Sequence, residues 1–377
     1  MAARVFLQFL FLGCISFGGP SAHIAYFRQV FVDQRHWISE EEFARQLALC
    51  QFLPGPASSQ LGFAIALRRG GLPAAIAAFI GFTLPSFVLM YSLAVFTLRE
   101  HPEWLSSVIA GMKILALVVV ADALINMARQ FCRGAALAAT AMASAVLMSL
   151  AMQPMLQVSV MALAGLLAYW RSAAAADANH APPPLSIETR GYWALLLFVA
   201  LLVLALIGSG VFSQFYLVGS LVFGGGHVAL PLLQSFLGDA ISGEQFIVGY
   251  AAAQAVPGPM FSLAAFLGAS LQPENALPAA LRACAGVFLP GFLLLLAVTG
   301  WWQQLAQRPP VMAAIAAVNA VVVGMLGAAW LNPLLLQAPG GWAALLLAVL
   351  LFGALRSQRV PLIILVIAAL LYAKFLL

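Results

Sequence analysis

Inside long runs of membrane-grade hydrophobic sequence, this chain carries two kinds of glycine-proline interruption, and it carries each of them twice. Phe17-Gly18-Gly19-Pro20 recurs 206 residues later as Phe223-Gly224-Gly225-Gly226, and Gln51-Phe52-Leu53-Pro54-Gly55-Pro56 recurs 203 residues later as Gln254-Ala255-Val256-Pro257-Gly258-Pro259. Three more blocks keep the spacing: Asp33 with Asp239, Ser39-Glu40-Glu41-Glu42-Phe43 with Ser242-Gly243-Glu244-Gln245-Phe246, and Leu84-Pro85-Ser86-Phe87 with Leu289-Pro290-Gly291-Phe292. Five blocks in one order are an internal repeat. A helix break at bilayer depth leaves N–H and C=O groups that lipid cannot satisfy, so it survives only inside protein or beside a water-filled cavity. Matching interruptions in two halves of a membrane chain point to a transporter's substrate site.

With 64% hydrophobic and only 8% charged residues over 377 positions, against roughly 25% charged in a soluble domain, the chain reads as an all-α polytopic membrane protein. At about 20 residues per crossing, thirteen apolar runs are long enough to span, at 5–31, 42–69, 72–98, 107–128, 134–152, 155–171, 192–208, 212–235, 245–270, 279–302, 311–331, 340–356 and 360–376. Each broken run has enough residues to cross as two half-helices. Residues 172–190, with Asp177, His180, three consecutive prolines and Glu188, read as a linker between an N-terminal repeat (1–171) and a C-terminal repeat (191–377). Cys14, Cys50, Cys132 and Cys284 sit singly in or beside apolar runs, as buried thiols rather than a metal site or a disulfide framework. The net charge of +5 is scattered among the spans, so no nucleic-acid partner is implied.

A cytoplasmic N-terminus puts ten arginines on the inner side, Arg68 and Arg69 among them, against Arg28, Arg35, Arg45, Arg99, Arg282 and Lys374 outside. That agrees with the positive-inside tendency except at Arg28, Arg35 and Arg45. An odd number of spans puts the linker in the cytoplasm and the C-terminus outside. Seven crossings separate the starts of the two copies, so the repeats are expected to be inverted.

The breaks suggest anion chemistry. Pro54, Gly55 and Pro56 end one helix, and the next can start at Ala57 with free N–H groups and the hydroxyls of Ser58 and Ser59. In the second copy Ser262 follows Pro257, Gly258 and Pro259. Gln51 and Gln254 open these two blocks. The other break, Gly18-Gly19, precedes Ser21 and His23, and its copy Gly224-Gly225-Gly226 precedes His227. An imidazole there can pair with an anion, carry a coupling proton or simply pack. Lys113 and Asp122 lie within one span, where ionisable groups are costly. Lys113 can balance an anion, neutralise a carboxylate elsewhere, or snorkel. Arg28 and Arg45 are candidates for attracting anions toward the breaks.

No HExxH, no His/Cys cluster and no paired carboxylates at depth suggest an enzyme, and no GxxxxGK sequence suggests ATP-driven work. The two break motifs and their second copies resemble the chromate ion transporter family in its long, two-repeat form, over about residues 5–128 and 212–331. The resemblance implies a secondary transporter that exports chromate across the bacterial inner membrane and confers chromate resistance, without a cofactor. Alternating access at the breaks is the expected mechanism. The expected partners are chromate or a sulfate-like dianion and the lipid bilayer, with a homodimer, a carrier for another oxyanion and an anion channel left open.

Overall fold

The computed structural model describes residues 1–99, 104–151, 153–175, 191–223, 229–335, 341–357, 360 and 362–376. Among these, every element is helical. α1 (Ala2–Ile15) stops at Ser16, and α2 (Gly19–Phe27) restarts after a left-handed Gly18 and runs on into a π-helical stretch, Arg28–Gln34. α3 (Glu40–Phe52) ends on extended Leu53, and α4 (Ala57–Arg99) begins after Pro56. Non-helical backbone at Gly70 and Gly71 divides α4 into limbs of residues 57–69 and 72–99. α5 (Trp104–Phe131), α6 (Ala135–Leu150) and α7 (Pro154–Ala174) complete the first half, and α8 (Tyr192–Ile207) follows. The second half repeats the order with α9 (Val211–Leu221), α10 (Ala229–Leu237), α11 (Gly243–Ala255), α12 (Leu263–Leu271) and α13 (Ala276–Val298). A short α14 (Trp302–Ala306) then leads to α15 (Pro309–Ala329), α16 (Trp342–Ser357) and α17 (Leu362–Leu376).

The repeated sequence blocks become repeated local structure. Ser39 caps α3 by accepting the Glu42 N–H, and Ser242 caps α11 by accepting that of Gln245. This is the capping pattern that a Ser-x-x-Glu/Gln block encodes. Gly13 and Gly81 let α1 lie directly on α4, where a Cβ on either would stand 2.6 Å from a carbonyl oxygen of the other helix. Gly219 and Gly286, at the matching positions, do the same for α9 and α13.

The broken segments of the first half fold back on themselves, which corrects the expectation that residues 5–31 and 42–69 cross. Glu42, at the start of α3, is ion-paired with Arg68, at the end of the first limb of α4. A straight helix would hold those two residues about 39 Å apart. Phe9 of α1 stacks on Phe31 at 5.0 Å and meets Phe27 edge-on at 5.6 Å, so α2 returns alongside α1. Arg69 lies 5.5 Å over the Trp37 ring, and Gly70 sits against Met1. Met1, Trp37, Glu42 and Arg68 therefore share one face, with the breaks as the tips of two inward hairpins. Glycine φ values of +99° at Gly18 and +113° at Gly55 make the reversal, where proline alone would only bend the helix. Arg28, Arg35 and Arg45 consequently lie on the face of Arg68 and Arg69, not opposite it.

The halves exchange their last helices. α6 and α7 pack on α15, whereas α16 and α17 pack on α5. Ser144 of α6 donates to the Val321 carbonyl at 3.1 Å, and Arg356 of α16 bonds Asp122 and Asn126 of α5, each at 3.1 Å. Pro273–Asn275, the second half's counterpart of the Gly70–Gly71 corner, lies at the other end of α4 and shares a pocket with Tyr91 and Val95. Among the described residues, four helices are long and apolar enough to cross a membrane, and seven shorter apolar helices accompany them. The linker from residue 176 to 190 lies outside the described residues.

A chain carrying Glu42→Cys and Arg68→Cys should be joined by a short bifunctional thiol reagent in native membranes, read by mass spectrometry of the cross-linked peptides. A straight crossing would give no product.

Candidate substrate site at the crossed breaks

The breaks meet in the interior and close on each other in reciprocal pairs. The Gly55 N–H donates to the Val222 carbonyl at 2.7 Å, and the Gly258 N–H donates to the Ser16 carbonyl at 2.9 Å. Ser16 and Val222 are the C-caps of α1 and α9, where helix ends leave carbonyls without intrahelical donors. Each Pro-Gly-Pro tip thus satisfies the end of the helix that precedes the Gly-Gly motif in the other half's sequence. The packing is reciprocal too. A Cβ on Gly55 would stand 3.0 Å from Gly291 Cα of α13, and one on Gly258 would stand 3.0 Å from Ser86 Oγ of α4. Gln60 Nε2 adds a clamp, donating to the carbonyls of Pro54 at 2.9 Å and Gly291 at 3.0 Å.

Polar side chains collect around this crossing. His23 is fully buried, edge-on to Phe82 at 5.2 Å. A carbonyl only accepts, so Nε2–H donates to Ser16 O at 3.2 Å, which leaves Nδ1 to accept from the Ser58 hydroxyl at 3.3 Å. Ser58 is thereby committed to His23. Its neighbour Ser59 and the matching Ser262 are not: both hydroxyls are buried without a partner among the described residues. Ser16 Oγ, Gln60 Oε1 and Thr83 Oγ1 share that condition. Buried side-chain polar atoms are nearly always paired in folded proteins. Five such atoms lie on or beside the segments that make the crossing. α2 and α4 begin here, as does the Met260–Ser262 turn that leads into α12, so N–H ends and positive dipole ends are gathered together. Residues 16–23, 53–60 and 256–263 contain no Asp or Glu to repel an anion.

Other expected site residues lie elsewhere. The N–H groups of Gly55 and Gly258 are spent on carbonyls, so these glycines shape the site without offering donors. Gln51 is exposed on α3, while Gln254 is buried and directs Nε2 at Met260 Sδ, 2.9 Å away. Lys113 pairs with Glu244 at 3.0 Å. Glu244 is in the first turn of α11, about 16 Å along that helix from the break. Of the readings for Lys113, this contact matches the neutralising of a carboxylate elsewhere. Arg28 pairs with Glu40 at 2.9 Å and Asp33 at 3.4 Å, and Arg45 with Glu41 and Glu42 at 3.1 Å each. Gly19 and Ser21 lie in the first turn of α2. Gly224, Gly225, Gly226 and His227 lie outside the described residues. Sequence reasoning missed Ser16, Gln60, Thr83 and Gly291. The repeated Leu-Pro-x-Phe block was the available signal for Gly291, as the surface against which the opposite break rests.

A multi-pass helical membrane protein, interrupted at matching places in two halves that close on each other, has the architecture of a membrane transporter. The chain matches the chromate transporter family over residues 3–169 and again over 209–373, and it belongs to that family. The two matches are the two repeats, and the segment between them holds the linker and α8. The chain is 28% identical over 306 residues to an uncharacterised transporter of Methanocaldococcus jannaschii, covering 78% of this chain and 75% of the relative. It is 28% identical over 366 residues to a chromate transport protein of Pseudomonas aeruginosa, covering 86% and 79%. A chromate transport protein of Cupriavidus metallidurans is 24% identical over 336 residues, covering 86% and 80%. No solved structure matches the chain.

Two substitutions separate backbone shape from side-chain room. Gly55→Ala places a Cβ 3.0 Å from the Gly291 backbone, whereas the first contact of Gly258→Ala is the Ser86 hydroxyl, with the Phe82 carbonyl farther off at 3.3 Å. Both suffer about 1–2 kcal/mol of left-handed strain, so Gly55→Ala should show the larger fall in melting temperature and in transport. Lys113→Glu should destabilise the purified protein, and adding Glu244→Lys should restore its melting temperature and its transport. Failure of the swap to restore transport would return Lys113 to the substrate path.

Proposed function

We propose that this chain is a secondary transporter that carries chromate out of the cell by alternating access, with the dianion held at the crossed breaks. The observation that carries this reading is the cluster of unpartnered buried hydroxyls, Ser59 and Ser262 foremost, around the reciprocal Gly55–Val222 and Gly258–Ser16 hydrogen bonds. A tetrahedral dianion only accepts hydrogen bonds, and hydroxyls with helix N-termini supply donors without a metal or a fixed cation. The names of the relatives from Pseudomonas aeruginosa and Cupriavidus metallidurans support chromate as the substrate.

The hairpins change the expected number of crossings from thirteen to nine: the second limb of α4, then α5, α6, α7, α8, α13, α15, α16 and α17. Four crossings in the first half plus α8 start the second copy from the opposite side, so the repeats are inverted. The placement of Pro273–Asn275 at the far end of α4 favours this arrangement. Charge favours it as well. Arg4, Arg28, Arg35, Arg45, Arg68, Arg69, Arg129, Arg133, Arg171, Arg308 and Arg356 then lie on the N-terminal face, against Arg99, Arg282 and Lys374 opposite. The three arginines that broke the positive-inside pattern join the majority. The N-terminus and linker are then cytoplasmic and the C-terminus is outside. An inside-negative potential drives the anion outward, with about 2.3 kcal/mol per charge per 100 mV.

Proteoliposomes should take up chromate when an imposed potential drives anions through the protein, and sulfate should compete. Ser59→Ala and Ser262→Ala should each weaken apparent affinity about tenfold or more, the worth of a hydrogen bond to a charged group. Absence of chromate flux would overturn the substrate, and unchanged affinity in both variants would overturn the site. Reporters fused after residues 180 and 377 should lie on opposite sides of the membrane. The same side for both would rule out nine crossings.

A further inference from the structure

We infer that the furrow between α6 and α7 holds one acyl chain of an anionic phospholipid, with its phosphate at Arg171. The two helices pack side by side on α15 and scarcely touch each other, which leaves an open, largely apolar groove of about 680 Å³. Its floor is Ala313, Ala316 and Ala317 of α15, so small side chains make it deep. Its walls carry Leu147 and Leu163, and Ser144 fixes the floor to one wall by its hydrogen bond to Val321.

Length selects the occupant. From Leu147 and Val160 at one end to Arg171 and Ser172 at the other, the furrow follows α7 for about 16 Å at 1.5 Å per residue. That is half of a hydrocarbon core about 30 Å thick. A transmembrane helix from another protein would need the full depth and a width of about 10 Å. An acyl chain from one leaflet needs only this. Charge then selects the headgroup. Arg171 stands at the mouth, exposed and without a carboxylate partner among the described residues. Among the described residues Arg133, just before α6, bonds only the backbone carbonyl of Arg129. The mouth lies at the start of α6 and the end of α7, where a headgroup phosphate would sit. Basic pockets between membrane helices recognise such headgroups.

The test is native mass spectrometry of the full chain released from nanodiscs of equal phosphatidylglycerol and phosphatidylcholine. Wild-type protein should retain one phosphatidylglycerol per chain, with about a fivefold preference over phosphatidylcholine, as one basic side chain near the membrane surface supplies. Arg171→Gln should remove the preference. Ala164→Phe, which fills the furrow, should remove the bound lipid while leaving the protein folded by its melting temperature. Equal retention of the two lipids by the wild type would overturn the inference. So would unchanged retention in both variants, or a dimer that Ala164→Phe disrupts, since a second copy would then occupy the groove.

Discussion

Everything in this protein's interior depends on finding partners for backbone groups where water is absent. A helix that stops at bilayer depth strands carbonyls at its end, and an unsatisfied group there costs several kcal/mol. Ser16 and Val222 are such ends, and each is satisfied by a glycine N–H from the other half. Neither half can close its own breaks. The glycines are needed because the donor must approach in a left-handed turn, at φ +113° for Gly55 and +104° for Gly258, with backbone or Ser86 already in contact. The same requirement explains why both break motifs occur in both copies.

Once the tips are tied together, the polar groups that remain unsatisfied stand out. Ser58 and Ser59 are adjacent and chemically alike, yet His23 engages one and leaves the other. Ser59 has a counterpart in the second half and Ser58 does not, because Phe261 occupies that place. The crossing is thus symmetric where the backbone is concerned and asymmetric in its side chains, with His23, Ser58 and Gln60 all supplied by the first half. The crossing itself carries donors and no fixed charge, and charges such as Arg28 with Glu40 are paired at the surface.

The repeat, the half-helices and the positions of the breaks were legible in the sequence because glycine and proline at depth have few uses. Whether a broken run crosses or returns was not legible. A run such as 42–69 is long enough for one full span or for two half-spans back to back, and hydropathy is the same either way. The one warning was electrical: Arg28, Arg35 and Arg45 sat on the wrong side of a straight-crossing arrangement. Lys113 was unreadable for another reason. Its partner Glu244 is 131 residues away, and no local pattern announces an ion pair between halves.

The exchange of terminal helices bears on how the molecule is made. α6 and α7 leave the ribosome long before α15, the helix that receives them, and translation at about 5–20 residues per second leaves them waiting roughly 7 to 27 s. During that interval the first half has two membrane helices with nowhere of their own to dock, and its broken hairpins lack the donors that α11 and α12 will bring. The packing of α6 and α7 therefore waits on the synthesis of α15.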